Sequence, residues 1–204
     1  AGSSSGSVGD ITNGSCDGDY ACFEAGYVSG SVGSISDGSC SGNYACYLAA
    51  YGSGVVGDIT GGSCSGNFAC SNLAGYGSGV VGDISRSSCI GDYACYYAGR
   101  NTGRVGSITD GSCNGDNACA YAGSISGSVG DITCGSCYGH KACYLAGANG
   151  GSVGDLTGVC PPSSQPSASP SLEPSTAPSL QSSSSPSLDP SAGPSLEPST
   201  APSS

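Results

Sequence analysis

The chain has 204 residues, 37 of them glycine and 14 cysteine, and its formal net charge is −11. With only four lysine and arginine residues, it lacks the basic surface that a nucleic-acid-binding protein needs to displace counterions. No apolar run approaches the ~18 residues of a membrane-spanning helix. The many cysteines predict an oxidising compartment, so we expect a secreted protein. Because it has no initiator methionine and no signal-like segment, we expect the chain to begin after processing or to be part of a longer product.

The composition changes sharply near residue 160. All 14 cysteines lie between residues 16 and 160, and all 11 prolines lie between residues 161 and 202. We therefore expect two parts, a cysteine-rich body over 1–160 and a proline- and serine-rich tail over 161–204.

The body is a repeat of about 24 residues. The unit reads G-S-V-G-D-I-T-x-G-S-C-x-G-D-Y-A-C-x-x-A-G-x-x-S, in six full copies and one partial copy, with one inserted residue near Asn72. Glycine returns every three to six residues, which disfavours helical repeats, since glycine within a helix costs ~1 kcal/mol relative to alanine. Short stretches rich in Val, Ile, Thr and Tyr are typical of strands joined by tight corners. The repeat predicts an all-β fold, a parallel β-solenoid of about six and a half 24-residue rungs.

Stacked rungs would bring equivalent positions into ladders along the solenoid, and three apolar ladders are expected to face inward. They are Val8, Val32, Val56, Val81, Val105, Val129 and Val153; Ile11, Ile35, Ile59, Ile84, Ile108, Ile132 and Leu156; and Ala21, Ala45, Ala69, Ala94, Ala118 and Ala142. Such small side chains cannot by themselves offset a backbone ordering cost of ~1–2 kcal/mol per residue, so further stabilisation is expected.

Twelve cysteines form six pairs that are six residues apart, each bracketing a glycine that supplies a chain reversal. They are Cys16/Cys22, Cys40/Cys46, Cys64/Cys70, Cys89/Cys95, Cys113/Cys119 and Cys137/Cys143. We expect disulfides within each rung and no metal site, because zinc needs four convergent ligands, usually in C-x2-C spacing. The alternative of disulfides from each rung to the next, as in Cys22 to Cys40, would leave Cys16 and Cys143 without a partner.

Two cysteines lie outside this pattern. Cys134 and Cys160 fall at similar positions of adjacent rungs, so we expect a disulfide between them that holds the last rung. A link between two chains is the alternative.

Two aspartate ladders are candidate calcium sites. They are Asp10, Asp58, Asp83, Asp131 and Asp155 at one repeat position, and Asp19, Asp92 and Asp116 at another. Stacked carboxylates repel one another unless cations, water or N–H groups compensate them. The nonapeptide of calcium-binding β-rolls is absent, and Ser34 and Ser107 interrupt the first ladder. We therefore favour aspartates that cap their own turns by accepting backbone N–H bonds.

Two further ladders could bind ligands. A hydroxyl ladder suggests ice binding, although that activity usually needs two regular rows of threonine. A solvated strand edge is the favoured interpretation. Its members are Thr12, Ser36, Thr60, Ser85, Thr109, Thr133 and Thr157. An aromatic column of Tyr20, Tyr44, Phe68 and Tyr93 could hold sugar rings, but packing between rungs is favoured.

Nothing in the sequence predicts catalysis. His140 is the single histidine, and it has no acidic partner specific to it. We expect no enzyme activity, no catalytic residue and no cofactor. Asn13-Gly14-Ser15 is the only N-glycosylation sequon, and it lies at an expected turn.

The tail repeats P-S-x-x with a period of four and a single skip at Ser182. Proline fixes φ and biases the preceding residue towards extended geometry, so we expect a polyproline-II-like segment. Dense serine and threonine beside proline are typical of an O-glycosylated, mucin-like stalk, with a plain linker as the alternative. The expected O-glycosylation sites are Ser171, Ser175, Thr176, Ser179, Ser191, Ser195, Ser199 and Thr200.

The phrases G-S-C-S-G-N-Y-A-C at 38–46 and G-S-C-N-G-D-N-A-C at 111–119 resemble a family of secreted microalgal proteins with G-S-C-x-G-x-x-A-C repeats. The tail is similar to the Pro/Ser-rich arms of algal surface and matrix glycoproteins. The resemblance implies an extracellular, glycosylated, structural role without catalytic residues.

The sequence therefore predicts a structural subunit of an extracellular glycoprotein fibre or cell-surface coat. Residues 1–9 match residues 122–130 at eight of nine positions, so the body begins within a rung, and it also stops within one, at Cys160. Open rungs present unpaired strand edges, and we expect copies to stack head to tail into a filament. The expected partners are copies of the chain and covalent glycans, with no nucleic acid and no membrane span. The alternative is an extracellular adhesion module that binds glycans or calcium, and a weaker one is an ice-binding protein.

Overall fold

A computed structural model of the chain describes residues 4–159 and confirms the predicted parallel β-solenoid with a 24-residue rung. The described residues contain no α-helix, and so none that could cross a membrane. Cys160 and the whole of the tail over 161–204, with its expected polyproline-II geometry and glycosylation sites, lie outside the described residues.

Seven two-residue strands, one from each rung, form a single parallel sheet. They are β1 (Ser7–Val8), β2 (Ser31–Val32), β3 (Val55–Val56), β4 (Val80–Val81), β5 (Arg104–Val105), β6 (Ser128–Val129) and β8 (Ser152–Val153). The predicted valine ladder stays in register throughout, and the inserted residue leaves Val56 paired with Val81.

A second line of parallel pairing follows the isoleucine ladder. Single bridges join Ile11 to Ile35 and continue rung by rung to Ile132. At the last two rungs this pairing widens into strands β7 (Ile132–Thr133) and β9 (Leu156–Thr157), which form a two-stranded sheet. The two ladders thus fix the register of each rung at two separate points.

Most of each rung consists of tight turns rather than strand. The N–H of Ala45 donates to the carbonyl of Gly42 in the same rung (3.2 Å), and the next N–H, from Cys46, donates to Ala21 of the preceding rung (2.6 Å). This alternation continues through Leu48, whose N–H donates to Phe23 (3.1 Å). Turn formation and rung stacking therefore use successive peptide groups of one short segment.

These turns place non-glycine residues in the left-handed region. The first cysteine of each bridge has a φ between 56° at Cys89 and 63° at Cys16. Tyr44, in the aromatic column, has a φ of 56°. A residue with a Cβ atom adopts this conformation at a cost of roughly 1–2 kcal/mol, so stacking and the disulfides have to stabilise each turn.

The three predicted apolar ladders form the core of the middle rungs, where their members are buried. The prediction is wrong for Ile11, which is 44% exposed, and for Ala142, which is also exposed. Both residues lie in terminal rungs of the described body, where a neighbouring rung covers one side only. Val8, Val153 and Leu156 are half-buried for the same reason.

Six disulfides join the cysteine pairs that the spacing predicts, and each bridge closes within its own rung. They are Cys16–Cys22, Cys40–Cys46, Cys64–Cys70, Cys89–Cys95, Cys113–Cys119 and Cys137–Cys143. No cysteine within residues 4–159 is free. The expected bridge from Cys134 to Cys160 involves a residue beyond the described range.

Candidate functional site

The first aspartate ladder bonds one rung to the next. The Asp58 carboxylate accepts the backbone N–H of Ser34 in the preceding rung (2.7 Å), and Asp83 accepts that of Asp58 (2.9 Å). Asp131 and Asp155 repeat this contact, at 2.8 and 3.0 Å. The expectation that each aspartate caps its own turn is therefore wrong, because the donated N–H belongs to the equivalent position one rung earlier.

Glycine makes room for this contact. A Cβ atom at Gly57 would collide with the carboxylate oxygen of Asp83, and one at Gly33 would collide with that of Asp58. The V-G-D sequence of the repeat thus combines a carboxylate acceptor with a glycine that lets the next acceptor approach.

The second aspartate ladder uses the same arrangement, with asparagine able to replace aspartate. Asp19 donates its N–H to Asn43 Oδ1 (3.0 Å), and Asp92 donates its N–H to an Asp116 carboxylate oxygen (3.1 Å). Backbone N–H groups thereby supply the compensation that stacked carboxylates need.

A buried serine ladder, which was not predicted from the sequence, runs beside the disulfides. Ser39, Ser63, Ser88 and Ser112 are fully buried. The Ser63 hydroxyl donates to the carbonyl of Thr60 (2.8 Å) and accepts the N–H of Ser88 (3.2 Å). The signal was the serine before the first cysteine in every G-S-C or S-S-C phrase, a small polar residue beside a buried bridge.

The predicted aromatic column is a stack of rings that cover one another. Tyr20 and Tyr44 have ring centroids 5.2 Å apart, Tyr44 and Phe68 4.9 Å, and Phe68 and Tyr93 5.1 Å, with interplanar angles of 12°, 2° and 3°. A sugar ring stacks on an open aromatic face. In this column neighbouring rings lie on both faces of Tyr44 and of Phe68 and on one face of Tyr20 and of Tyr93, so the rings pack between rungs.

A second aromatic column runs along the solenoid and consists of tyrosines. Its members are Tyr27, Tyr51, Tyr76, Tyr97, Tyr121 and Tyr144, and the centroids of successive rings are between 5.1 and 6.4 Å apart. The Arg100 guanidinium lies over two of these rings, 4.9 Å from the centroid of Tyr76 and 4.3 Å from that of Tyr97. Burial raises the pKa of the Tyr121 phenol.

Some members of the hydroxyl ladder form hydrogen bonds with neighbouring side chains. Thr109 donates to the carboxylate of Asp110 (3.1 Å), and Ser36 donates in the same way to Asp37 (3.1 Å). Only Thr12, in the first rung, and its counterpart Thr157 are exposed, whereas the remaining members are half-buried. The favoured interpretation of the ladder as a solvated strand edge, and ice binding as its alternative, stay predictions.

Within residues 4–159, the remaining polar groups do not form a convergent cluster. The sulfur atoms of Cys113, Cys119 and Cys137 lie within 4.8 Å of one another, but each belongs to a disulfide and offers no thiolate to a metal. Asn13 is exposed at its turn, and its Nδ2 donates to Asp37 (2.9 Å). His140 is exposed.

One ion pair joins two successive rungs. Arg86 Nη1 lies 2.7 Å from Asp110 Oδ1. The hydrogen bond from this guanidinium holds the pKa of the Asp110 carboxyl below its usual value.

Comparisons of the chain with protein-family models, with curated proteins and with solved structures found no match. The similarity to secreted microalgal repeat proteins stays a prediction that depends on the repeat phrases and the tail.

Proposed function

We propose that the chain is a structural subunit of an extracellular glycoprotein fibre or cell-surface coat. The supporting observation is that side chains able to bind a ligand or to take part in catalysis contact the neighbouring rung instead. The Asp83 carboxylate binds a backbone N–H, the Ser63 hydroxyl is buried between two rungs, and the Tyr44 ring is stacked on both sides. These contacts strengthen the stacking of rungs, as a structural role would need.

The disulfides support the proposed extracellular location. Six bridges within residues 4–159 are typical of a protein from an oxidising compartment, where disulfides form and persist. Each closes a short loop, and on the chain-entropy model a short loop still contributes ~2 kcal/mol against unfolding.

We further propose that copies stack head to tail. One end of the described body presents Val8 and Ile11, and the other presents Val153 and Leu156, at the same repeat positions. The apolar ladders of one copy would therefore continue into the next in the same register. A contact between two different faces does not close on itself, so it produces a filament.

Sedimentation and negative-stain electron microscopy of the native chain test this stacking. We expect filaments, and we expect Ile11→Lys to shorten or abolish them, because it places a charge on the end face. Val55→Lys is the matched control, since Val55 is 45% exposed on the side of the solenoid and Ile11 is 44% exposed at its end. A compact monomer at high concentration, or equal effects of the two variants, would contradict head-to-tail stacking.

Glycans on the tail complete the proposal. The strict P-S-x-x register over 161–204 supplies regularly spaced hydroxyl acceptors beside proline. Intact mass before and after deglycosylation tests it, and we expect a native mass well above the 19.4 kDa of the polypeptide. A native mass equal to that of the disulfide-bonded polypeptide would contradict it.

A further inference from the structure

The disulfides strengthen each rung separately. Every bridge between described cysteine partners spans six residues of one rung, as in Cys89–Cys95, and so does not join that rung to its neighbours. The contacts described between those rungs are hydrogen bonds, packed side chains and an ion pair. The second aromatic column is different in kind, because it places oxidisable phenols of successive rungs against one another.

Two pairs of tyrosine rings in that column have nearly the same centroid distance and the same interplanar angle. Tyr51 and Tyr76 have centroids 5.1 Å apart and an interplanar angle of 50°, and Tyr97 and Tyr121 have centroids 5.2 Å apart at 50°. In a biaryl the two rings are joined at their edges and twisted about the connecting bond. A tilted pair at this separation needs little side-chain rotation to reach that product.

We propose that Tyr97 and Tyr121, and likewise Tyr51 and Tyr76, are sites of oxidative coupling that forms dityrosine bonds between successive rungs of one chain. The oxidant is hydrogen peroxide acting through a haem peroxidase, a one-electron oxidant. Each phenol loses its hydroxyl hydrogen atom, and the two phenoxyl radicals form one carbon–carbon bond at positions next to the oxygens. The ring hydrogens displaced there return to the oxygens, and the two hydrogen atoms removed convert one peroxide molecule into two water molecules.

The column also gives the oxidant access. Tyr76 is 46% exposed and Tyr144 is 39% exposed, so each can be oxidised directly at the surface. The Tyr144 ring lies 5.8 Å from that of half-buried Tyr121, which lets a radical formed at the surface exchange with the inner phenol.

Neighbouring ring pairs are less suited to this coupling. Tyr76 and Tyr97 are 6.4 Å apart, and the Arg100 guanidinium lies over both rings. Tyr27 and Tyr51 are nearly parallel, at 14°, so their edges would have to slide past each other before bonding. Tyr96 and Tyr97 are closer, at 4.0 Å, but a bond between adjacent residues would close a strained ring within one rung and would not join two rungs.

Trypsin digestion shows which peptides the proposed bond joins. It cleaves after Arg86, Arg100, Arg104 and Lys141, which places Tyr97 in peptide 87–100 and Tyr121 in peptide 105–141. After peroxidase and limiting peroxide, followed by reduction, alkylation and digestion, we expect a peptide pair whose mass is the sum of the two less two hydrogen atoms. The Tyr51–Tyr76 bond is expected as a loss of two hydrogen atoms within peptide 1–86.

Matched variants separate this bond from coupling between chains. Tyr121→Phe keeps the ring and removes the phenol, so we expect it to abolish the linked pair of peptides. Tyr138→Phe is the control, because Tyr138 lies in the same tryptic peptide and is 77% exposed. Tyr97→Phe should also abolish the linked pair, which distinguishes Tyr97 from Tyr96 in the same peptide, whose ring lies 5.9 Å from that of Tyr121. Circular dichroism of the three variants checks that the fold is kept. The yield of the linked pair should not fall on dilution.

Three results would overturn the inference: no dityrosine at all, a linked pair that disappears on dilution or in Tyr138→Phe, or coupling confined to Tyr96 and Tyr97. The bond lies within one chain, so the outcome is independent of whether copies form filaments.

Discussion

The carboxylate of Asp83 accepts the backbone N–H of Asp58, 2.9 Å away at the same position of the preceding rung. The repeated residue therefore bonds to its own copy, and the V-G-D phrase encodes a contact between rungs. The ladder is weakened where serine replaces aspartate, because no hydrogen bond from the N–H of Asp10 to the Ser34 side chain is found within residues 4–159.

Removing one such carboxylate should lower stability measurably. Asp131→Ala leaves the N–H of Ser107 without its acceptor, and we expect the free energy of unfolding to fall by about 1 kcal/mol. Urea denaturation of the disulfide-intact chain measures this change. Asp10→Ala is the control, since no hydrogen bond to the Asp10 carboxylate is found in the described part of the chain. Equal effects of the two substitutions would mean that the ladder contributes nothing.

The glycine before the aspartate allows a sharper comparison. Gly57→Ala should destabilise the body by ~1–3 kcal/mol or prevent folding, because its Cβ would overlap the Asp83 carboxylate that the next rung supplies. Gly154→Ala, at the same repeat position, should have little effect, since nothing lies within 4 Å of a Cβ there. Thermal unfolding distinguishes the two, and a harmless Gly57→Ala would show that the rungs are not stacked in this register.

The buried serine ladder gives a third test. Ser63→Ala removes the acceptor of the Ser88 N–H inside the core, and leaving a buried donor unpaired costs ~1–3 kcal/mol. Ser15 occupies the same repeat position, but its buried hydroxyl has no hydrogen-bond partner within residues 4–159. Ser15→Ala should therefore be neutral or slightly stabilising in denaturant unfolding. A larger loss from Ser15→Ala than from Ser63→Ala would contradict the ladder.

The Arg86–Asp110 pair predicts a pH dependence. The guanidinium lowers the folded-state pKa of Asp110 below its ordinary value of 3.8, so the stabilisation is fully present above about pH 4 and is lost as the pH falls through the lowered value. Arg86→Gln should raise the pKa of Asp110 in an NMR titration and reduce the acid dependence of stability. Arg104→Gln is the control, because no ion pair of Arg104 occurs in the described range. An unchanged Asp110 pKa in Arg86→Gln would refute the coupling.

The period of the repeat was enough to predict the fold, because a 24-residue unit rich in glycine and β-branched residues can bury Val56 and Ile59 only by stacking on its own copies. The bridge between Cys64 and Cys70 followed from spacing. The partner of the Asp83 carboxylate did not, since a carboxylate can reach an N–H in its own rung or in the preceding one, and the two rungs have nearly the same sequence. The exposure of Ile11 could not be predicted either, because it depends on whether a neighbouring rung covers the residue and not on the residue itself.

X-ray diffraction from oriented fibres of the native chain tests head-to-tail stacking most directly. If the ladders that begin at Val8 and end at Val153 continue from copy to copy, the rung spacing of about 4.8 Å should give a strong reflection along the fibre axis. Material that remains monomeric, or fibres in which this reflection is absent from the axis, would contradict the proposed structural role.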